Sequence, residues 1–331
     1  MRAVLVACLA LPGAACDARH DAGSQAQTAA AKLQAIPLPT MERQLEIVHR
    51  GVRRVELFAG GSSPVLVFRE EVVVGGDGRF GLEPLEAFSP VPDDWIHRER
   101  LWARFSFRYR DFAIRDSDSF LRNWRLTDLG QETVVAGRKC SSYLVERKIG
   151  EAKRYELALD EELGCILREA KYDAEGRLLS VVEYESLDPQ PDLESAVWTQ
   201  GAVDERELDP AADLRSQLGA ALSLPRRIPE GFELREASTA RFLDRDWLRL
   251  VYDDGVESVF FLSTLPGSGA PAGSEGASAS SRGPGSSPDR LLSARLGAIN
   301  VVQALTGEGL LMGIGAIGER ELADLVESAL P

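Results

Sequence analysis

The sequence has few of the residues from which catalytic and metal sites are built. Three histidines, His20, His49 and His97, occur in 331 residues, and they are far apart along the chain. Metal sites and nucleophile–base pairs need such residues in clusters or at short spacings. The glycines between Gly313 and Gly318 also lack the strand, loop and helix order of a phosphate-binding loop. The sequence therefore predicts no catalytic residue, no metal and no cofactor.

Adjacent carboxylates are a second source of catalytic groups. Two such pairs, Asp253-Asp254 and Glu161-Glu162, fall in predicted turns. Turns run over the surface, where acidic side chains are commonly solvated. We therefore expect both pairs to be exposed and to take no part in a site. The protein is predicted not to be an enzyme.

Positive charge is scarce, because 38 Lys and Arg residues are outnumbered by 52 Asp and Glu residues and the net charge is -14. Nucleic-acid affinity comes largely from cationic side chains that release counterions. Residues 95–112 interleave arginines with aromatics, a combination that could stack bases. In so acidic a chain, an aromatic core stripe with a solvated basic face is the favoured interpretation. We expect no nucleic-acid partner.

The apolar run at the N terminus, residues 3–15, is too short to span a bilayer. It follows Arg2, and this pattern is typical of an export signal, which we assign to residues 1–16. Cys16 follows Gly-Ala-Ala, which resembles the acylation site of bacterial lipoproteins, although a plain cleaved signal is equally consistent. Residues 17–36 are rich in Ala, Gln, Ser and Asp and predict a flexible tether. The protein is predicted to be exported, with Cys16 as a candidate lipid anchor.

Cysteine is also scarce, and beyond the signal only Cys140 and Cys165 remain. In an oxidising compartment the two could form a disulfide, which would stabilise the fold by roughly 3 kcal/mol. Two buried free thiols are the alternative. A strand predicted between the two residues would hold them too far apart for a bond unless the strand ends converge. Both alternatives stay open.

Short runs of alternating apolar residues are abundant, and this is the pattern of half-buried strands. Tyr155, Leu157 and Leu159, for example, alternate with other residues, which indicates one buried and one solvated face. A short helix is predicted over 41–48. Strands are predicted at 55–58, 64–69, 71–74, 140–148, 153–160, 165–172 and 178–187. The last four follow one another through short turns and suit a curved sheet or an incomplete barrel.

A second domain is predicted after an acidic, proline-bearing connection at about 188–224. Asp254-Gly255 between apolar runs predicts a hairpin, because Asp-Gly favours the positive φ angles of a tight turn. Apolar runs at 296–305 and 310–317 predict another strand pair. One face of a closing helix is formed by Leu322, Leu325, Val326, Ala329 and Leu330. Residues 266–288, mostly Gly, Ser, Ala and Pro, predict a disordered loop. The fold class is α+β, mainly antiparallel β.

Three blocks of the sequence carry a family resemblance and together cover about half of the chain. The first comprises residues 135–138, 155–160 and 174–179, the second 224–232 and 251–261, and the third 297–323. These blocks resemble the RseB/MucB family, the periplasmic regulators of the sigma-E envelope stress response. None of the blocks is a catalytic fingerprint.

The resemblance implies a first domain like that of the lipoprotein carriers LolA and LolB, an incompletely closed β-barrel whose helices plug an apolar cavity. We assign this domain to 37–190, a linker to 191–223, and a smaller RseB-type β-sheet domain with a C-terminal helix to 224–331. The resemblance also implies a periplasmic protein that binds the periplasmic domain of a membrane-spanning anti-sigma factor. The cavity would sense lipid or lipoprotein.

The alternative function is that of a lipid or lipoprotein carrier, or of a membrane-tethered scaffold, with no role in transcription. Either function would use apolar side chains of the first domain. The residues that we assign to an apolar ligand site are Trp95, Trp102, Phe105, Tyr109 and Phe112. Simple core packing is the alternative role for each of them.

Overall fold

Two antiparallel β-sheets make up most of the fold, as the alternating apolar pattern predicts. The computed structural model describes residues 38–91, 93, 111–150, 152–199, 205–218, 222–242, 245–265, 291–296, 299–306 and 309–330. The first sheet contains β1 (His49–Leu57), β2 (Leu66–Val74), β3 (Phe80–Ala87), β4 (Trp124–Val135), β5 (Arg138–Arg147), β6 (Arg154–Asp160), β7 (Ile166–Tyr172) and β8 (Leu178–Asp188). The second contains β9 (Arg206–Leu208), β10 (Glu233–Phe242), β11 (Arg245–Asp253), β12 (Ser258–Thr264), β13 (Leu292–Leu296), β14 (Ile299–Thr306) and β15 (Gly309–Gly315). The helices of the described residues are α1 (Met41–Glu46), α2 (Ser117–Asn123), α3 (Leu214–Leu218) and α4 (Glu319–Glu327).

The first sheet has the strand order β3-β2-β1-β8-β7-β6-β5-β4, so two meanders meet where β1 pairs with β8. Strands β5 to β8 correspond to the four strands predicted between residues 140 and 187. In the described part of the chain the edge strands β3 and β4 do not pair with each other, and the sheet is therefore not a closed barrel. The half-open barrel of LolA type stays a prediction.

Strand β2 runs unbroken from Leu66 to Val74, whereas the sequence predicts two strands on either side of Glu70. The Glu70 side chain is buried, and its carboxylate accepts a hydrogen bond of 2.6 Å from Arg53 Nε on β1. A charge can lie inside a sheet when it is paired and hydrogen-bonded. The strand therefore continues through Glu70 instead of ending there.

The second sheet has the order β13-β14-β15-β12-β11-β10-β9, with α4 packed on one face. Asp254-Gly255 lies in the turn between β11 and β12, as the sequence predicts, and Gly255 has a φ of 102°. Leu322, Leu325 and Val326 of α4 are completely buried in the core of this sheet. A Cβ atom at Gly313 would lie 2.9 Å from side-chain carbons of Leu322 and Val326, so the helix needs glycine beneath it.

The segment predicted as a linker, 191–223, contributes to the second sheet. Within it, β9 pairs with β10, so that Arg206 lies opposite Thr239 and Leu208 lies opposite Ala237. Leu208, together with residues of α3, enters the core. A strand of three residues is too short to show the alternation by which strands are found in a sequence.

Across the described residues, no helix has the length and apolar character needed to cross a membrane. In the same residues, no group of three or more His, Cys, Asp and Glu side chains is placed to hold a metal ion. The predicted signal, the tether at 17–36 and the loop at 266–288 lie outside the described residues.

Candidate binding site

A cavity of about 90 Å³ lies among the first sheet, α1 and residues 111–113, which begin a segment, residues 111–115, that we call the strap. Strands β1, β2, β3, β7 and β8 line the cavity. In β1, β2 and β8 the lining residues are two or four positions apart, because alternate residues of a strand point to the same face of a sheet. Its apolar lining includes Val72, Val74, Phe80, Phe112, Leu167 and Val182. Its polar lining includes His49, Arg53, Asp111, Glu169 and Tyr184.

Arg53 is the central charge of the cavity wall. Its Nε donates to Glu70 at 2.6 Å and its Nη1 donates to Asp111 at 2.7 Å. The side chain is 5% exposed, and burial alone would lower its pKa, but Asp111 and Glu70 raise the pKa of Arg53 well above its usual value. Arg53 thus remains charged and fastens the strap to β1 and β2.

His49 and Tyr184 form a neutral pair on the same wall. His49 Nδ1 lies 2.7 Å from the Ile47 carbonyl oxygen, which can only accept, so this nitrogen carries the proton. The Nε2 atom then accepts from the Tyr184 hydroxyl at 3.1 Å. Burial lowers the pKa of His49 and raises the pKa of Tyr184, so both side chains stay uncharged near neutral pH. The pair contributes polarity to the cavity without adding charge.

Glu169 on β7 faces the strap and is buried. One of its carboxylate oxygens accepts a hydrogen bond of 2.7 Å from the backbone N–H of Phe112. Burial is the main reason why the pKa of Glu169 is raised to about 7, and the neighbouring Asp111 raises it further. The hydrogen bond from the Phe112 N–H and the charge of Lys171 both lower the pKa of Glu169, but by less than burial raises it. A carboxyl group in this setting titrates within the physiological range.

The turn between β11 and β12 is buried against the first sheet, which corrects the prediction that Asp253-Asp254 is solvated. Asp253 and Asp254 are 3% and 0% exposed. Asp254 accepts a hydrogen bond of 3.1 Å from Trp124 Nε1 and pairs with Arg147, whose Nε lies 3.2 Å away. Burial raises the pKa of Asp254 to about 6, although Arg147 opposes the shift. The Glu161-Glu162 pair is exposed as predicted.

Glu257 ends the same turn and contacts the first sheet through two residues. Its carboxylate accepts a hydrogen bond of 2.5 Å from the Tyr155 hydroxyl and pairs with Lys171. Burial acts to raise the pKa of Glu257, but Lys171 and Lys153 outweigh it and lower the pKa to about 2. We refer to residues 253–257 as the joint hairpin, because Asp254 and Glu257 bind β5, β6 and β7 of the other sheet.

Of the residues predicted to form an apolar ligand site, Phe112 belongs to the described part of the chain; it is 2% exposed and lines the cavity, and its role in ligand binding stays a prediction. Trp95, Trp102, Phe105 and Tyr109 lie outside the described residues, as does Cys16. Cys140 and Cys165 are free, buried thiols that share one apolar cluster, and Cys165 also lines the cavity.

Sequence reasoning missed Arg53 and Glu169, which line the cavity, and Glu70, the buried partner of Arg53. The signal that could have found them is a charged residue at an inward position of an otherwise apolar strand, as in Leu-Val-Phe-Arg-Glu-Glu-Val-Val-Val of β2. Such a residue must be paired if the strand is buried. Its partner cannot be identified from the sequence, because the partner lies on another strand.

No protein-family model matches the sequence, and no curated protein matches it. Solved structures do show a similar fold. A structure of MucB superposes with a TM-score of 0.52 at 18% identity and covers 87% of this chain and 94% of that one. A complex of MucB with MucA(peri) superposes with a TM-score of 0.49 at 18% identity and covers 87% of this chain and 95% of that one. A Pseudomonas aeruginosa MucA/MucB complex superposes with a TM-score of 0.47 at 18% identity and covers 88% of this chain and 95% of that one. The superposition on the structure of MucB alone, with its TM-score of 0.52, shows that this chain has a MucB-like fold.

Proposed function

We propose that this protein is an exported, non-enzymatic binding protein that binds the periplasmic domain of a membrane-spanning anti-sigma factor. Through this partner it would modulate the envelope stress response. The observation that carries the proposal is the MucB-like fold, which extends over 87% of the chain. The sequence blocks that resemble the RseB/MucB family support it independently of the fold.

The position of these blocks adds to the argument. The block at 251–261 contains the joint hairpin, and the block at 155–160 contains Tyr155, which donates to Glu257 of that hairpin. The resemblance therefore falls on residues that join the two sheets. A protein that binds its partner with both domains depends on the joint hairpin, because these contacts fix the position of one domain's binding surface relative to the other's.

The carrier alternative would place a lipid or the acyl chains of a lipoprotein in the cavity. The cavity of about 90 Å³ is well below the roughly 300–1,000 Å³ of sites that hold drug-sized ligands. Lipid sensing, like a half-open barrel of LolA type, would thus require the cavity to enlarge. This size favours the protein partner as the primary ligand.

We further propose that residues 1–16 direct export to the periplasm and that Cys16 carries a lipid anchor. The apolar run that precedes Cys16 and the polar residues that follow it support this proposal. In cells fed a labelled fatty acid, the chain should incorporate the label and its Cys16→Ser variant should not. Equal labelling of the two chains, or no labelling of either, would point to a plain cleaved signal.

The function is tested by affinity purification of the tagged full-length chain from gently solubilised membranes of the source cells. We expect mass spectrometry to identify a single-span anti-sigma factor. The control is Gly255→Ala, because a Cβ atom at this position would collide with the backbone nitrogen of Phe120 and disturb the joint hairpin. Recovery of the partner should fall in this variant. Lipoproteins or transport components without an anti-sigma factor would contradict the proposal and favour the carrier.

A further inference from the structure

The strap is bound to the cavity at one end and to the second sheet at the other. At the cavity end, Asp111 pairs with Arg53, and the backbone N–H of Phe112 donates to Glu169. The Phe112 carbonyl accepts a hydrogen bond of 3.2 Å from Gln44 Nε2 of α1. The strap is therefore held to three elements that line the cavity.

At its other end, the strap is bound to the joint hairpin. The Arg115 backbone N–H donates to the Gly255 carbonyl at 2.9 Å. The Arg115 side chain lies 3.9 Å from Asp253 and donates back to the Asp111 carbonyl at 3.1 Å. Arg115 thus contacts the hairpin and the first residue of the strap at once.

A second route between the two sites runs through packed side chains. The Phe112 and Tyr155 rings are in an edge contact, with centroids 5.1 Å apart and planes at 66°. Tyr155 in turn donates to Glu257 of the joint hairpin. The two rings are 2% and 3% exposed, so a displacement of one ring must be taken up by the other.

We propose that the strap couples the cavity to the second sheet. Displacement of Phe112 from the cavity wall loosens the joint hairpin, and loosening of the hairpin releases Phe112, because a coupling free energy between two sites is reciprocal. A molecule that occupies the cavity by moving the Phe112 ring would therefore change how the second sheet is held. This inference does not depend on which partner the protein binds.

The test is native-state hydrogen exchange on the full-length chain. In Phe112→Ala, the Val256 and Glu257 amides, which donate to Asp254, should exchange at least about 5-fold faster than in the wild type. In Tyr155→Phe, which removes the hydroxyl bound to Glu257, the Phe112 amide should exchange faster. Amides of β14 serve as the internal reference for global unfolding.

The matched control is Phe80→Ala, the same substitution on the wall formed by β3. It should leave the joint hairpin amides unchanged relative to β14. If Phe80→Ala and Phe112→Ala accelerate these amides equally, or if neither does, the strap does not couple the two sites. If Phe112→Ala fails to fold, Phe112→Leu keeps an apolar side chain and provides the same comparison.

Discussion

Asp254 shows at the scale of a single residue how the two sheets are held together. Its carboxylate pairs with Arg147 where both side chains are 0% exposed. Nearby, Asn123 Nδ2 donates to the Asp254 backbone carbonyl at 2.9 Å. Such a charge cannot regain its hydration while the protein is folded, so the loss of one partner leaves the other buried and uncompensated.

We expect Asp254→Ala to lower the free energy of unfolding by about 3–5 kcal/mol, because it leaves the Arg147 guanidinium and the Trp124 Nε1–H group buried without their partner. The measurement is urea denaturation followed by fluorescence. The matched control is Glu162→Ala, because Glu162 also pairs with an arginine, Arg138, but its side chain is 83% exposed. That variant should lose at most about 1 kcal/mol. Equal losses in the two variants would mean that the Asp254 pair is not desolvated.

Cys140 and Cys165 lie on either side of Asp160. Cys140 is the cross-strand partner of Asp160, whose N–H donates to the Cys165 carbonyl on the other side. Because the two residues are separated by two interstrand spacings, their Cα atoms are about 9–10 Å apart. This is beyond the roughly 7 Å between Cα atoms that a disulfide can bridge. Burial also raises the pKa of Cys140 and, to about 12, that of Cys165.

We therefore expect both thiols to resist an aromatic disulfide reagent in the folded protein and to react after denaturation. Titration of the unreduced chain in denaturant measures this directly. In denaturant and without a reducing agent, the reagent should react with both Cys140 and Cys165. If the two thiols react only after reduction, they form a disulfide in the protein, and the strands must have moved to allow it.

At the scale of elements, the sequence predicts the strands of the meander well because each has a regular alternation and a turn of Gly, Asp or Glu after it. It does not predict β9, which is three residues long, or the continuity of β2 through Glu70. Both depend on partners that are distant in the sequence. For the same reason the charged residues that line the cavity, such as Arg53 and Glu169, cannot be predicted from the sequence.

Helix α4 is an element whose contribution can be isolated. Leu325 is completely buried between this helix and the second sheet, so Leu325→Ala should cost about 2–5 kcal/mol of unfolding free energy. Leu305→Ala in β14 is the same substitution at a side chain that is 67% exposed, and it should have little effect. Thermal or urea denaturation compares the two. A small loss in Leu325→Ala would mean that α4 is not essential to this core.

At the scale of the whole molecule, the dependence of stability on pH should reveal the buried carboxyl groups. Glu169 has a pKa of about 7 when folded, against an unfolded value near 4.5. Because the folded state binds this proton more tightly, Glu169 makes the protein less stable as the pH rises from about 4.5 to 7. The difference between the two values corresponds to about 3 kcal/mol. Glu257 has the opposite effect, because its pKa is lowered to about 2 in the folded state. It stabilises the protein above about pH 4.5, and this stabilisation is lost as the pH falls from about 4.5 to 2.

Comparison with Glu169→Gln separates this carboxyl group from all others, because the amide keeps an oxygen that can accept the Phe112 N–H but does not titrate. The free energy of unfolding of the wild type, minus that of the variant, should fall steadily between pH 4.5 and 7 and be constant above that range. Glu162→Gln, the same substitution at an exposed position, is the matched control. A difference for Glu169→Gln that stays constant between pH 4.5 and 7 would mean that Glu169 is ionised throughout this range. The Phe112 N–H and Lys171 would then outweigh burial at the cavity wall, and the strap would be held by a full charge at every pH.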